Sequence, residues 1–297
     1  MTMVRRNRAK PMTAKQRRLG SLAIALSPAI ILVGALFFLP LLRLAILSTT
    51  DSYPNPTERF TFANYLEIFT RAFHLESLLT SLELAAVVTV ITAILGYPLA
   101  YYFVRSSSRF KPLILLAIIS PLLISVVVRS IGWLILLGQE GIVNQILQVT
   151  GITSEPVQLL YNFMAVVIGE VNILMPFMVL SLTTSISQIP ASLEEGASVL
   201  GASSARRFLR VTLPLSAPGL ISGAMLVFIL TMGSYVTPQM LGGGKVKVIT
   251  TDIYSRMMVD FDWPLGAALA IVTLMLTLSV VLVMNKVQAR MMGGVTR

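Results

Sequence analysis

The sequence predicts an all-α integral membrane protein with six transmembrane helices and both termini in the cytoplasm. Three observations lead there. Of 297 residues, 55% are hydrophobic and only 12% are charged. A soluble chain carries about 25% charged residues, so this one has too few to cover a water-facing surface. Six apolar stretches reach the ~20 residues that a helix needs to cross a bilayer. The basic residues gather on one side of those stretches, as the positive-inside rule requires.

The stretches run Leu19 to Leu47, Ser77 to Val104, Leu113 to Leu137, Tyr161 to Thr184, Gly219 to Leu241 and Pro264 to Asn285. Pro28, Pro98, Pro121 and Pro176 lie within them. Membrane helices tolerate proline where neighbours satisfy the freed carbonyl, so six kinked but continuous helices are expected. With the N-terminus inside, segments 1–18, 105–112, 185–218 and 286–297 face the cytoplasm and hold 16 Lys and Arg residues. Segments 48–76, 138–160 and 242–262 face outward and hold 5, together with nine of the 13 acidic residues. The net charge of +10 is therefore an inner-face excess. The organisation follows: a basic arm over 1–18, a six-helix domain over 19–285 and a tail over 286–297.

The arm holds Arg5, Arg6, Arg8, Lys10, Lys15, Arg17 and Arg18. It lacks interleaved aromatics for base stacking, which argues against nucleic acid, and it suits anionic lipid headgroups. The apolar run behind it is longer than a signal-peptide core and reads as an uncleaved first span. The chain has no cysteine and one histidine, His74. Disulfides, thiolate metal sites and HExxH zinc motifs are excluded. Gly242-Gly243-Gly244-Lys245 fails as a phosphate loop, because Gln239 stands where GxxxxGK[ST] needs its first Gly and Val246 follows the lysine. Gly219 and Gly223 match GxxxG and suit close helix packing. In the first outer loop, Thr61 or Asn64 suits the cap of a short helix with Tyr65, Phe69 and Phe73 on its apolar face. The second outer loop holds a similar candidate over Ile142 to Val149.

The loop between spans four and five is the most informative segment. Pro190 suits a helix start and Gly201 a sharp stop. Ser203 or Ser204 suits the next N-cap, and Pro214 is expected to end that second helix. Leu193, Ala197 and Leu200 share a face of the first helix, and Phe208 and Val211 a face of the second. Such a pair serves either as a connector lying on lipid headgroups or as an element docked in a groove of a cytoplasmic partner.

Glu195-Gly196-Ala197, three residues, Gly201, nine residues and Val211-Thr212-Leu213-Pro214 together resemble the EAA motif of permease subunits from binding-protein-dependent ABC importers. Gly196 stands where the motif has Ala, and Val211 where it has Ile. The resemblance implies the ABC type I importer permease fold. It implies that Glu194, Glu195, Gly196, Ala197, Gly201, Arg207, Phe208, Val211, Leu213 and Pro214 couple the helices to an ATPase. It also implies the partners: a second permease subunit, two ATPase subunits, an extracytoplasmic solute-binding protein and membrane lipid. ATP and Mg then sit on the ATPase, with no cofactor on this chain and no catalytic role for it. The Arg206, Arg207 and Arg210 cluster is then expected to meet acidic groups on the partner or lipid phosphates, with lipid phosphate the simpler reading for Arg206.

Further stretches resemble the polyamine-type permeases: Val128-Arg129-Ser130-Ile131-Gly132-Trp133, Gly233-Ser234-Tyr235-Val236-Thr237-Pro238 and Asp262-Trp263-Pro264-Leu265-Gly266. That resemblance implies a small organic cation as solute. Opines, aminophosphonates and amino-acid derivatives are the alternatives that relatives of this type handle.

Four ionisable residues fall within spans: Arg43, Glu83, Arg129 and Glu170. Intramembrane charges face the bundle interior or a cavity and pair with one another. A structural Arg129–Glu170 pair is the simpler expectation. The other reading places Glu83 or Glu170, with Asn172, on a cation pathway. Tyr235 reads as an outer gate or an interfacial anchor. Asp252, Asp260 and Asp262 are expected to be solvated. An ion-coupled secondary transporter is the competing class. It calls for inverted repeats and interrupted helices, and neither is visible in the sequence.

Overall fold

The computed structural model describes residues 14–53 and 59–293. Arg5, Arg6, Arg8, Lys10, Pro54 and Pro56 lie outside the described residues, as do the side chains of Lys15, Arg17 and Arg18. The chain starts with α1 (Ala14–Leu47), then α2 (Ala63–Thr70), α3 (Ala72–Arg105), α4 (Lys111–Ile119) and α5 (Val126–Leu137). It continues with α6 (Ile142–Val149), α7 (Phe163–Ser187), α8 (Ala191–Val199) and α9 (Ser204–Arg207). It ends with α10 (Leu213–Met232), α11 (Val236–Leu241), α12 (Ile249–Tyr254) and α13 (Trp263–Gly293).

Five helical stretches among the described residues are long and apolar enough to cross a membrane: Ala72–Arg105, Val126–Val149, Phe163–Ser187, Ser204–Met232 and Trp263–Arg290. The second of these turns at 138–141, between α5 and α6. The first helix, α1, has 34 residues, and its described part Ile31–Leu47 is apolar. Leu32, Leu36 and Phe38 of α1 are exposed, as befits a helix whose solvent is lipid.

The centre of the bundle is a three-way contact of α3, α7 and α10. Leu84, Val88, Met178, Leu182 and Val227 fill it and are fully buried. Helix α13 packs on α10, and α1 packs outside α13. Close approach of α7 and α10 rests on the two glycines of the GxxxG pair. A Cβ on Gly219 would lie 2.3 Å from the Ser185 Cβ, and one on Gly223 would lie 2.8 Å from the Met178 Sδ. The closeness lets Ser181 Oγ donate to the Gly219 carbonyl at 2.8 Å.

Two spans depart from the continuous helices expected. The third is broken between α4 and α5. A 3₁₀ turn covers Ser120–Leu123, and Ile124 and Ser125 are non-helical, with ψ of 134° and 140°. Pro121 removes the bond to the Ala117 carbonyl, which the Ser120 hydroxyl takes at 3.0 Å. The β-branched run Val126-Val127-Val128 adds little helical preference to bridge the gap. The fifth span is broken at 233–235, between α10 and α11. Pro238 cannot donate to the Ser234 carbonyl, so the Thr250 hydroxyl of α12 does, at 2.5 Å. By contrast, Pro98 and Pro176 stay inside the unbroken α3 and α7.

Pro214 does not end the second helix of the loop between spans four and five. A wide π-turn over Phe208–Thr212 joins α9 to α10, and the helix runs on from Ser204 to Met232. Such a turn re-registers the backbone bonds and admits a residue with no N–H. In the first loop, α2 forms over Ala63–Thr70, and the Thr61 hydroxyl accepts from its first N–H, that of Ala63, at 3.1 Å, whereas Asn64 does not cap it. The Asn64 amide instead donates to the Ser48 and Thr50 carbonyls at 3.1 and 2.8 Å. Its buried residue is Ile68, whereas Phe69 and Phe73 stay exposed.

Gly219→Ala is expected to cost roughly 1–3 kcal/mol by overpacking α7 against α10. Nothing lies within 4 Å of a Cβ on Gly196, so Gly196→Ala should stabilise α8 by about 0.5–1 kcal/mol. Thermal unfolding of the two variants in detergent should move the midpoint in opposite directions.

Candidate functional site

The α8–α9 helix pair is built as the residues dictate. Pro190 precedes α8, and Gly201 closes it with φ at +80°, a conformation that side chains disfavour. The Ala202 N–H returns to the Ala197 carbonyl at 3.0 Å. The Ser203 hydroxyl caps α9 by accepting from Arg206 N at 3.4 Å. The tip is apolar and bare, with Val199 87% and Leu200 88% exposed. Leu193 is exposed as well, so the expected apolar face of α8 points away from the bundle.

Glu194 points inward instead. Its Oε1 accepts from Arg105 Nη2 at 2.9 Å, Arg105 Nε at 3.2 Å and Thr212 Oγ1 at 3.1 Å. Its Oε2 accepts from Tyr101 Oη at 3.0 Å. Arg105 also reaches the Ile189 carbonyl at 3.0 Å, just ahead of α8. One carboxylate thus joins α8 to the last turn of α3 and to the π-turn that opens α10. Burial opposes its charge, but the bonds from Arg105, Tyr101 and Thr212 outweigh burial and hold the Glu194 carboxyl below the ordinary glutamate range. Phe208 supports the joint by meeting the Tyr97 ring edge-on at 5.0 Å. Leu213 packs against the central core, and Val211 is half-buried. Glu195, Gly196, Arg206, Arg210 and Pro214 are exposed, Ala197 is half-buried, and Arg207 bonds Ser204 at 3.1 Å.

The intramembrane residues divide between two places. Arg129 and Glu170 line one cavity of about 440 Å³, flanked by both helix breaks. They form no contact ion pair, which corrects the simpler expectation. Arg129 Nη2 donates to the Ile124 carbonyl at the first break, at 2.7 Å. Glu170 accepts from Ser234 Oγ at the second, at 2.5 Å. Asn172 is half-buried on α7 but not among the residues lining this cavity. Glu83 is exposed and lines a separate cleft with Glu76, Thr80, Asn162 and Lys247. Tyr235 stacks on Tyr254 of α12 with ring centroids 4.8 Å apart.

Asp252 was expected in solvent and is instead buried. Its Oδ2 accepts from His74 Nδ1 at 2.6 Å, with both side chains at or below 1% exposure. Arg105, Tyr101, Thr212 and the His74–Asp252 pair carried no motif signal. Their one sequence cue is a polar side chain at a span end, a feature shared with solvated residues.

This arrangement is that of a polytopic helical membrane protein whose α8–α9 helix pair is wired into its spans. Residues 90–293 match the model of the binding-protein-dependent transport system inner membrane component family, and the chain belongs to that family. It is a multi-pass inner-membrane transport component. It is similar to the spermidine/putrescine transport system permease protein PotB of Haemophilus influenzae, 33% identical over 246 residues, covering 82% of this chain and 86% of that one. PotB of Escherichia coli K12 is 35% identical over 212 residues, covering 71% and 77%. Among solved structures, a bacterial alginate ABC transporter matches with a TM-score of 0.78 at 19% identity, covering 92% of this chain and 96% of that one. The MetNI methionine ABC transporter matches with 0.55 at 15% identity, covering 73% and 95%. These two likenesses show the fold, that of ABC importer permeases.

Glu194→Gln should release α8 from the bundle. Loss of charge-assisted bonds of about 1.5–3 kcal/mol predicts amide exchange over 191–207 faster by roughly 10–100-fold, with α3 and α7 unchanged. The carboxyl is lowered in the folded state, so the anchor is fully present above about pH 4.3 and is lost as pH falls through the lowered value.

Proposed function

We propose that this chain is one of two permease subunits in an ATP-driven importer of polyamine-like cations. The single observation that supports it most is the Glu194 anchorage. An exposed apolar tip at Val199 and Leu200 stands on a helix whose buried carboxylate grips two spans at once. A groove on an ATPase subunit takes that tip. ATP and Mg sit on the two ATPase subunits, and their closure moves α8 and α9. The Glu194 joint passes the movement to α3 and α10, and the bundle exchanges inward-open for outward-open access. An extracytoplasmic binding protein delivers the solute.

This reading has six spans with both termini cytoplasmic, and no catalysis in the chain itself. The likeness to PotB supports a polyamine-like solute. Interrupted helices also suit a secondary transporter, but that class has no use for an anchored cytoplasmic helix pair.

The test is to purify the chain with its genomic neighbours in lipid and measure ATP hydrolysis. Stimulation by the binding protein loaded with spermidine or putrescine is expected. Solute uptake without ATP hydrolysis overturns the reading. Leu200→Asp places a charge on an 88% exposed side chain, so thermal stability should hold. The same variant should lose the ATPase subunits during affinity purification.

A further inference from the structure

The cavity between the two broken spans holds an incomplete charge arrangement. Glu170 is 1% exposed, and its hydrogen bond among the described residues comes from Ser234. The Thr237 hydroxyl, fully buried beside it, faces the carboxylate without closing a hydrogen bond to it. Arg129 lines the same space with its Nη2 committed to the Ile124 carbonyl. Taking a carboxylate out of water costs several kcal/mol unless a cation and donors compensate. One hydroxyl and a guanidinium out of contact compensate only in part. Apart from Ser125, the remaining wall is apolar, with Val126, Ile173, Leu174, Phe177 and Leu230 among its residues.

We propose that this cavity binds an alkylammonium group of the solute, with the ammonium on Glu170 and the methylene chain along the apolar wall. This rests on the importer reading above and adds the place where the solute is held. An ammonium brings three donors, which suit the Glu170 carboxylate and the Thr237 oxygen together. Phe177 lines the same cavity, and an aromatic ring there adds to the attraction for a cation. Arg129 is the tethered competitor. Its positive charge attracts the empty carboxylate and repels the bound ammonium, which keeps the hold weak enough for onward passage. The helix breaks make the geometry possible. They bring Ser234 and Thr237 to Glu170 from a helix start, where side chains reach across rather than along a helix.

The experiment measures binding of radiolabelled putrescine to the assembled transporter in lipid nanodiscs, without binding protein. Wild type should bind saturably, and Glu170→Gln should bind roughly 10–100-fold more weakly. Arg129→Gln should bind on the order of tenfold more tightly. Butane-1,4-diol, which lacks the charge, should not compete. Ser234→Ala keeps the carboxylate and frees it from its donor, so putrescine should bind about fivefold more tightly. That variant decides the matter if Glu170→Gln fails to assemble. Unchanged affinity in Glu170→Gln or in Ser234→Ala, competition by the diol, or no saturable binding by wild type overturns the proposal. Stimulation of ATP hydrolysis by putrescine-loaded binding protein, read on the same preparations, separates the two levels. Stimulation that persists while the binding predictions fail removes the site alone. No stimulation of wild type by any amine removes the importer reading with it.

Discussion

The rest of the molecule hangs on one carboxylate. Glu194 is the buried polar residue of α8 and accepts four hydrogen bonds, three from Arg105 and Tyr101 in the last turn of α3 and one from Thr212 in the π-turn that opens α10. A short helix of nine residues has little stability of its own. Tied at Glu194, it becomes a rigid extension of two spans that are themselves packed on α7. The π-turn at Phe208–Thr212 serves the same end. It lets α9 run into α10 without a break, so a force on the tip meets continuous helix rather than a flexible loop.

The outer half is organised by a second demand, that no backbone group be left unpaired in lipid. Each break in a span is answered by a particular side chain. Arg129 takes the Ile124 carbonyl, Ser120 takes that of Ala117, and Thr250 takes that of Ser234. Thr250 lies on α12, which the buried His74–Asp252 pair ties to α3. The Ile249 N–H donates to Ser81 Oγ at 2.7 Å and adds a second tie. The outer helix, the break in span five and the Glu170 cavity therefore form one connected unit. Tyr235 and Tyr254 stack across it.

The positions of the spans were legible because bilayer thickness sets their length and lipid sets their composition. The bend at Gly201 was legible because φ of +80° suits glycine. The short helix over Ile142–Val149 was legible from its own periodicity. The breaks were not. Pro98 and Pro176 sit in continuous helices, while Pro121 lies at a break and Pro238 just past one, and the difference is which neighbour supplies a hydroxyl or guanidinium. That is a tertiary fact with no local trace. The same holds for Glu194 and Glu195. The motif resemblance marks Glu195, but only the packed bundle shows that the buried anchor is the residue before it. Gly219 and Gly223 were visible as a pattern common by chance, and the Ser185 and Met178 contacts give it meaning.

The claim that α8 moves as one body with α3 is open to direct measurement. The chain has no cysteine, so two introduced cysteines can carry spin labels with no background from this chain. Labels at Ser198 on α8 and at Ser106 beyond the end of α3 suit double electron–electron resonance on the assembled transporter. The Glu194 anchorage predicts one narrow distance, the same with and without ATP, and a broad distribution once Glu194 is replaced by Ala. A wild-type distance that changes by several ångströms between nucleotide states would contradict it.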